Sequence, residues 1–175
     1  PLAGRDGIDP VPADIVSAFV DLVRRTPDEG LIQLAIYGYS TRTPEHAAIV
    51  DAVANSTADI ALGVDNEWLV RYEHRTEHPS DDAEKVTVDD GRVTRVHREI
   101  PESDAYGEFI GLAKFSQAGA TALRKHYHQR REEFAGQPYR EAKVFEKAYF
   151  IHLLQDMIEA GQPMVHVDTP GGYIE

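Results

Sequence analysis

One acidic residue inside an apolar, glycine-flanked segment is a candidate for ligand chemistry. Glu108 lies between Gly107 and Phe109 in the segment YGEFIG, residues 106–111. A carboxylate at the start of a strand could recognise a cationic group or hold a hydroxyl, and glycines there permit close approach of a ligand to the backbone. The alternative interpretation is a glutamate that is salt-bridged or exposed.

Aromatic residues follow another predicted strand at its carboxyl end. Trp68 and Tyr72 are four residues apart and come shortly after Val64 and Asp65. Aromatic rings in this position can line a pocket for a quaternary ammonium or a base. They can equally cover the edge of a sheet.

Two glycines and an acid also follow the last predicted strand. Gly171, Gly172 and Glu175 come after the apolar segment 164–168. Ligands bind outside the carboxyl ends of strands in α/β sheets, which favours a site here. The alternative interpretation is a frayed terminus.

Three other groups of polar residues have both a functional and a structural interpretation. His74 and His78 have the spacing of a metal-binding pair on a helix, but Pro79 indicates a loop. The basic cluster 124–131 could bind phosphate or a partner, or could form a solvated helix face. The acidic residues of 81–90 lack the spacing of a calcium-binding loop, and we interpret them as solvated residues around a hairpin.

Standard motifs for phosphate binding and nucleophilic catalysis are absent from the sequence. The chain contains no GxGxxG, GxxxxGK[ST] or GxSxG segment. It therefore has neither common phosphate loop nor a nucleophile elbow. We assign no catalytic residue and no metal ligand from the sequence.

The composition is that of an acidic protein of ordinary domain size. The chain has 175 residues and a mass of 19.5 kDa, with 18 Lys and Arg against 30 Asp and Glu, for a net charge of −12. This charge argues against a nucleic acid polymer or an anionic membrane as the main partner. The absence of Cys excludes disulfides and thiolate chemistry, and no apolar run approaches a membrane span. We therefore expect a cytoplasmic protein.

The spacing of apolar residues predicts one mixed α/β domain. Residues 1–11 have the composition of a tail or loop, and residues 12–175 are predicted to form a single domain. Buried strands at 31–37 and 58–64 alternate with helices, which indicates a parallel, helix-covered sheet. The segment Asp89-Asp90-Gly91-Arg92 then predicts an antiparallel hairpin. Two amphipathic helices follow, the first with Leu123 and Tyr127 four residues apart and the second with Val144 and Ala148 on its apolar face. Gly161 is expected to end the second helix as its C-terminal cap, before a last short strand.

Four stretches in this order resemble the sugar-phosphate and phosphocholine-type nucleotidyltransferases, above all the cytidylyltransferase domains of phosphonate pathways. They are ADIALGVDNEW (58–68), EKVTVDDGRVTRVHREI (84–100), GEFIGLAKFS (107–116) and AYFIHLLQDMIEAGQPMVHVDTPGGYIE (148–175). The resemblance implies a Rossmann-like mixed sheet flanked by helices, with the antiparallel hairpin as an insertion. It also implies transfer of a cytidylyl group from CTP to a small phospho- or phosphono-amine or alcohol. Mg²⁺ would neutralise the triphosphate.

The resemblance also implies which residues bind the substrate. The expected residues are Asp65, Trp68, Arg98, Tyr106, Glu108 and Glu175. Arg98 matches a basic residue that points to the phosphate region in the family. Tyr106 and Glu108 fall on the acceptor-side strand. Trp68 lies in the segment that covers the acceptor pocket in the family. Asp65 lies at the end of the strand that is next to the central strand.

The chain departs from the family pattern where the triphosphate and the metal bind. Family members begin with a Gly-rich loop and a downstream Lys, and nothing in residues 1–31 matches these features. The first metal carboxylate of the family follows a Tyr-Gly pair, whereas Tyr39 follows Tyr37-Gly38 here. The second lies two residues past the glutamate that matches Glu175. The stretches present therefore resemble the acceptor-binding half of the family.

These departures leave two hypotheses for function. The first is a nucleotidyltransferase-like piece that residues outside this chain complete. The second is a degenerate, non-catalytic domain that binds a small ligand or a protein partner, which Tyr39 in place of an acid favours. If the first βα unit of the family is absent, we also expect a homo-oligomer that covers the exposed apolar surface.

Overall fold

The computed structural model describes residues 32–35, 44–73 and 79–169 of the chain. Within these ranges it shows strands and helices that confirm the predicted mixed α/β class. Several features named in the sequence analysis lie outside the described residues: the tail at 1–11, Tyr39, His74, His78, Gly171, Gly172 and Glu175.

The strands within the described ranges form one sheet that closes on itself. They are β1 (Ile32–Ala35), β2 (Ile60–Asp65), β3 (Lys85–Asp89), β4 (Arg92–Val96), β5 (Gly107–Phe115) and β6 (Val165–Asp168). Their order is β1-β5-β2-β6-β4-β3, and β5 also pairs with β3. The ring from β5 through β2, β6, β4 and β3 is therefore a small closed barrel, and β1 pairs with β5 beside it.

The pairing directions differ from the parallel sheet predicted from the alternation of helices and strands. Among the described pairs, only β2 and β6 run parallel, and the others run antiparallel. The physical reason is the position of β5, which lies between β1 and β2 and runs opposite to both. The described strands thus close on themselves where a Rossmann-like sheet would stay open.

A bulge in β5 allows this strand to pair with both β2 and β3 in the barrel. Gly111 has φ of +73°, a conformation that favours glycine, and the register with β2 shifts between Leu62 and Val64. Bulges bend a strand and increase its twist. Beyond the bulge, Glu108 pairs with β2 on one side and with β3 on the other.

The hairpin between β3 and β4 has the turn chemistry seen in the sequence. Asp90 and Gly91 have φ of +45° and +73°, which are the positive values that a two-residue hairpin turn requires. Arg92 at the start of β4 then pairs with Val165 of β6. The hairpin is therefore part of the barrel wall.

Helices pack on the barrel and supply much of the core. They are α1 (Pro44–Ala54), α2 (Leu69–Tyr72), α3 (Gln117–Phe134) and α4 (Phe150–Glu159). Leu123 and Tyr127 of α3 are buried at the predicted four-residue spacing. Val144 and Ala148, predicted as part of the last helix, instead flank a short 3-10 helix that precedes α4.

Gly161 ends the last helix as its sequence predicts. It has φ of +85°, and the Gln162 N–H donates to the Met157 carbonyl in a C-terminal cap. None of the helices in the described ranges is long and apolar enough to cross a membrane.

Candidate functional site

Three charged side chains lie side by side on neighbouring strands at the carboxyl end of β2. Asp65 pairs in register with Glu108, and Glu108 pairs with Lys85 on its other side. Directly opposed residues of antiparallel strands project to the same face of a sheet. These three residues, which we name the charged row, are only 0%, 5% and 2% exposed. Buried charges are stable only when they are paired and hydrogen-bonded.

Asp65 ends β2 and starts the turn that leads into α2. Its Oδ1 accepts a hydrogen bond of 2.9 Å from the Glu67 N–H, the local bond that favours Asp at turns. Its Oδ2 forms an ion pair with Arg71. Asp65 therefore fixes the direction of the chain that carries Trp68 and Tyr72.

Two aromatic residues of this turn and helix contact the rest of the charged row. The Tyr72 hydroxyl donates to Glu108 Oε1 at 2.6 Å. Trp68 is buried, lies edge-on to Tyr72 with ring centroids 5.8 Å apart, and has Lys85 Nζ 5.9 Å from its ring centroid. The aromatic pair thus packs against the charged row.

Lys85 is a member of this cluster that sequence analysis missed. Burial lowers the pKa of its ammonium, and this effect outweighs the opposing influence of Asp81, Glu102 and Glu108. Its Nζ donates to the Ser80 carbonyl at 3.0 Å. No sequence motif marks this lysine, because its place beside Glu108 depends on strand register.

Tyr106 forms a more exposed cluster at the neighbouring strand end. Its hydroxyl contacts both oxygens of Asp168, at 3.0 and 2.9 Å, and its ring packs against His166 with centroids 4.8 Å apart. Burial, followed by the hydrogen bond and charge of Asp168, raises the pKa of Tyr106. Asp168 lies opposite Val64 where β2 and β6 run parallel, so the carboxyl ends of both strands carry an acid.

Asp168 was also missed, although its strand was predicted. Its side chain is 39% exposed, and Oδ1 lies 2.9 Å from His166 Nδ1. An acid directly after an apolar strand is the signal that could have identified it, as for Asp65. We name Tyr106, His166 and Asp168 the rim cluster.

Arg98 presents a guanidinium that its neighbours leave incompletely bonded. It stacks over the Tyr149 ring at 4.3 Å, and one terminal nitrogen lies 3.4 Å from Glu84 Oε1. Its Nε is buried without a hydrogen-bond partner in the described part of the chain. Arg98 also contributes to lowering the pKa of Lys85, which places it within electrostatic reach of the charged row.

Gly107 has a different role from the one expected. A Cβ atom at this position would lie 2.6 Å from the Asp65 carbonyl oxygen and 2.6 Å from a methyl group of Val64. The space that the missing side chain leaves is filled by β2. The close backbone approach is therefore between two strands, and the interpretation of Gly107 as room for a ligand was wrong.

The basic cluster at 124–131 is tied into the structure by one carboxylate. Asp156 accepts from His126 at 2.8 Å, Arg130 at 2.5 Å and Arg140 at 2.9 Å. Burial alone would raise the pKa of Asp156, but these hydrogen bonds outweigh it and lower the pKa to about 2. The cluster joins α3 to α4.

A cleft of about 280 Å³ lies between α3 and α4. Its lining residues are Ala122, Lys125, His126, Gln129, Met157, Ala160, Gly161 and Gln162. Gly161 and Gln162 lead into the amino end of β6, whereas the rim cluster lies at its carboxyl end. The cleft is thus separate from the charged row.

The described residues do not by themselves fit a magnesium site. Within 32–35, 44–73 and 79–169, no group of three or more His, Asp or Glu side chains is arranged to hold a metal ion. Both carboxylate oxygens of Asp65 are already bonded, to Arg71 and to the Glu67 N–H.

Comparison with known proteins gives two informative matches. No protein-family model matches the chain. A CTP:phosphoglutamine cytidylyltransferase from Campylobacter jejuni is 25% identical over 130 residues, which cover 72% of this chain and 49% of that protein. The solved structure of the inositol-1-phosphate CTP transferase from T. maritima is similar with a TM-score of 0.56 and 18% identity, over 89% of this chain and 51% of that one.

These matches confirm the resemblance to cytidylyltransferase-type nucleotidyltransferases and show that the fold is shared with a nucleotidyltransferase. The chain spans about half the length of the two proteins it matches.

Proposed function

We propose that this chain forms the acceptor-binding part of a cytidylyltransferase. Its substrates would be CTP and a small phospho- or phosphono-amine or alcohol. The observation that carries the proposal is the similarity to a CTP:phosphoglutamine cytidylyltransferase across 72% of the chain. The shared fold and the polar clusters at the carboxyl ends of β2 and β6 support it, because ligands bind at such ends in α/β proteins.

Arg98 is suited to the anionic end of the acceptor. A guanidinium offers several donors in a plane, which match the oxygens of a phosphate or phosphonate. Its stacking on Tyr149 leaves the Nε–H without a partner in the described residues. The side chain is nevertheless 36% exposed, so its terminal N–H groups can donate to an acceptor oxygen.

The rim cluster is suited to a cationic end of the acceptor. Tyr106 is 38% exposed, and its ring lies beside the partly exposed carboxylate of Asp168. An aromatic face next to a carboxylate attracts an ammonium group. The buried charged row lies at the neighbouring strand ends, where Glu108 bonds to Tyr72 and Asp65 bonds within the turn that carries Trp68.

The chemistry of transfer requires positioning and charge neutralisation. Mg²⁺ remains a prediction from the resemblance, and we derive no step through it because the described residues do not form its site. The protein's own contribution, in this proposal, is to hold the acceptor's anionic group at Arg98 and its amine at the rim cluster.

A second candidate function is ligand binding without transfer. The internal pairing of the charged row favours it, since Asp65 and Glu108 already bond to Arg71 and Tyr72. Such a domain would bind the acceptor and would release no diphosphate.

Calorimetry with CTP and Mg²⁺, followed by an assay for diphosphate release, distinguishes the two. The acceptors to add are phosphocholine, 2-aminoethylphosphonate and inositol 1-phosphate. Transfer predicts CTP binding and diphosphate release that depends on one acceptor. Failure to bind CTP at millimolar concentration would rule out catalysis by this chain.

A further inference from the structure

Two buried histidines share one carboxylate close to Arg98. His97 Nε2 lies 2.6 Å from Glu141 Oε1, and His152 Nε2 lies 3.0 Å from Glu141 Oε2. The imidazoles are 11% and 6% exposed, whereas the Glu141 side chain is 46% exposed. The three residues come from the segment after β4, the connection between α3 and α4, and α4 itself.

Backbone hydrogen bonds fix the tautomer of both rings. His97 Nδ1 accepts from the Glu99 N–H at 3.0 Å, and His152 Nδ1 accepts from the Tyr149 N–H at 3.3 Å. A ring nitrogen that accepts a hydrogen bond carries no proton, so each neutral imidazole has its proton on Nε2. The His97 Nε2–H therefore donates to Glu141 Oε1, and the His152 Nε2 lies within ion-pair distance of Glu141 Oε2.

The surroundings of the cluster favour an ionised Glu141 beside a neutral His152. Burial lowers the pKa of His152, and His97, Arg140 and Arg98 reinforce this against the opposing charge of Glu141. Burial raises the pKa of the Glu141 carboxyl, but the hydrogen bond from His97 and the nearby imidazoles outweigh it, so the net shift is downward.

Each histidine ring fixes one of the two features that orient Arg98: the turn that contains Arg98, and the Tyr149 residue on whose ring Arg98 stacks. The bond from the Glu99 N–H to His97 closes the turn that carries Arg98 at its centre. The bond from the Tyr149 N–H to His152 fixes the residue on whose ring Arg98 stacks. In the described part of the chain, the ion pair of Arg98 with Glu84 is long at 3.4 Å. Its orientation therefore depends on these neighbours.

We propose that Glu141 is a positioning residue for Arg98, because its carboxylate holds both histidines in the tautomer that anchors the Arg98 turn and the Tyr149 ring. The proposal rests on the proposed function in one respect, the role of Arg98 as the anion-binding group. It adds a specific requirement, namely that both oxygens of the Glu141 carboxylate must present negative charge to an imidazole nitrogen.

Glu141→Gln tests this requirement with little change in shape. A carboxamide offers one accepting oxygen, and its NH₂ group would face the Nε2–H of the other imidazole. That ring must move its proton to Nδ1 and lose its backbone bond. We expect ¹⁵N NMR to show one histidine changing tautomer in Glu141→Gln, and both keeping the wild-type tautomer in the control Glu132→Gln, an exposed acid of α3.

Sulfate binding tests whether the tautomer change reaches Arg98. Sulfate has the shape of a phosphate group and a charge that is constant between about pH 5 and 8, where histidine titrates. We expect Glu141→Gln to weaken sulfate binding to the intact chain by about 5- to 10-fold, the range of coupling between neighbouring residues. In an Arg98→Ala background, Glu141→Gln should cause no further loss.

The outcomes separate this proposal from the proposed function. Loss of sulfate affinity that requires Arg98 supports the positioning role even if the chain releases no diphosphate with CTP. Unchanged sulfate affinity in Glu141→Gln, an equal loss in the Arg98→Ala background, or absence of sulfate binding by the wild type would overturn it. Thermal unfolding of the wild type and of Glu141→Gln shows whether the variant remains folded. If Glu141→Gln does not fold, Glu141→Asp serves as the second variant, and it should retain part of the sulfate affinity of the wild type because it keeps the carboxylate.

Discussion

The Tyr72 hydroxyl donates to Glu108 at 2.6 Å, although the two residues are 36 positions apart in the chain. This bond links α2 to the start of β5 and joins the aromatic turn to the charged row. Because Glu108 is only 5% exposed, the contact contributes to stability as well as to the arrangement of the site.

Removing the Tyr72 hydroxyl should therefore destabilise the fold. We expect Tyr72→Phe to lower the free energy of unfolding by about 2 kcal/mol, since hydrogen bonds to charged groups contribute that much. Tyr106→Phe is the comparison, because the Tyr106 hydroxyl also bonds to a carboxylate, Asp168, but at an exposed site, where a hydrogen bond contributes less than in the low-dielectric interior. Urea denaturation measures the free energy of unfolding of both variants. Equal losses of this free energy would contradict a larger contribution from the buried bond to Glu108.

Gly107 should tolerate no side chain. We expect Gly107→Ala to cost more than about 2 kcal/mol, because its Cβ would meet the Asp65 backbone at 2.6 Å and the strands must separate. Gly91→Ala is the comparison, since nothing lies within 4 Å of its added Cβ and only its φ of +73° is unfavourable, at about 1 kcal/mol. Chemical denaturation that ranks Gly91→Ala as the more damaging change would contradict the close β2–β5 approach.

Asp156 should make stability depend on acid pH. Its pKa in the folded state is about 2, below its usual value, so its contribution is present at neutral pH and is lost as pH falls from about 4 towards 2. The difference in unfolding free energy between wild type and Asp156→Asn should therefore shrink over that range. The control Asp51→Asn changes an exposed acid of α1 and should differ little from the wild type at every pH. A difference in unfolding free energy for Asp156→Asn that does not change with pH would contradict the hydrogen bonds assigned to Asp156.

Local chemistry predicted the elements better than their arrangement. Asp90-Gly91 identified the hairpin and Gly161 identified the end of α4, because each needs a positive φ that adjacent residues determine. The apolar segment after Gly107 likewise identified β5 as a strand. Its antiparallel placement between β1 and β2 did not follow, since strand direction depends on contacts between distant segments.

In the candidate site as well, residues marked by local sequence were predicted, and residues that depend on contacts between distant segments were not. Glu108 and Tyr106 stand out in the sequence because they interrupt or precede an apolar run next to glycine. Lys85 does not, because its significance comes from strand register beside Glu108. Asp168 carries a local signal, an acid at the end of an apolar strand, but its place beside Val64 depends on the pairing of β2 with β6. The partner of the basic cluster, Asp156, was also invisible, since three of its bonds cross from other elements.

The most direct test of acceptor binding at the strand ends uses two ligands that differ by one amine. Calorimetry should compare 2-aminoethylphosphonate with ethylphosphonate on the wild type and on Asp168→Asn. We predict that the wild type binds the amine-bearing ligand at least about tenfold more tightly, the gain expected from one paired charge, and that Asp168→Asn removes this preference while ethylphosphonate affinity is unchanged. Equal affinities of the wild type for the two ligands, or no binding of either, would contradict the proposed acceptor site.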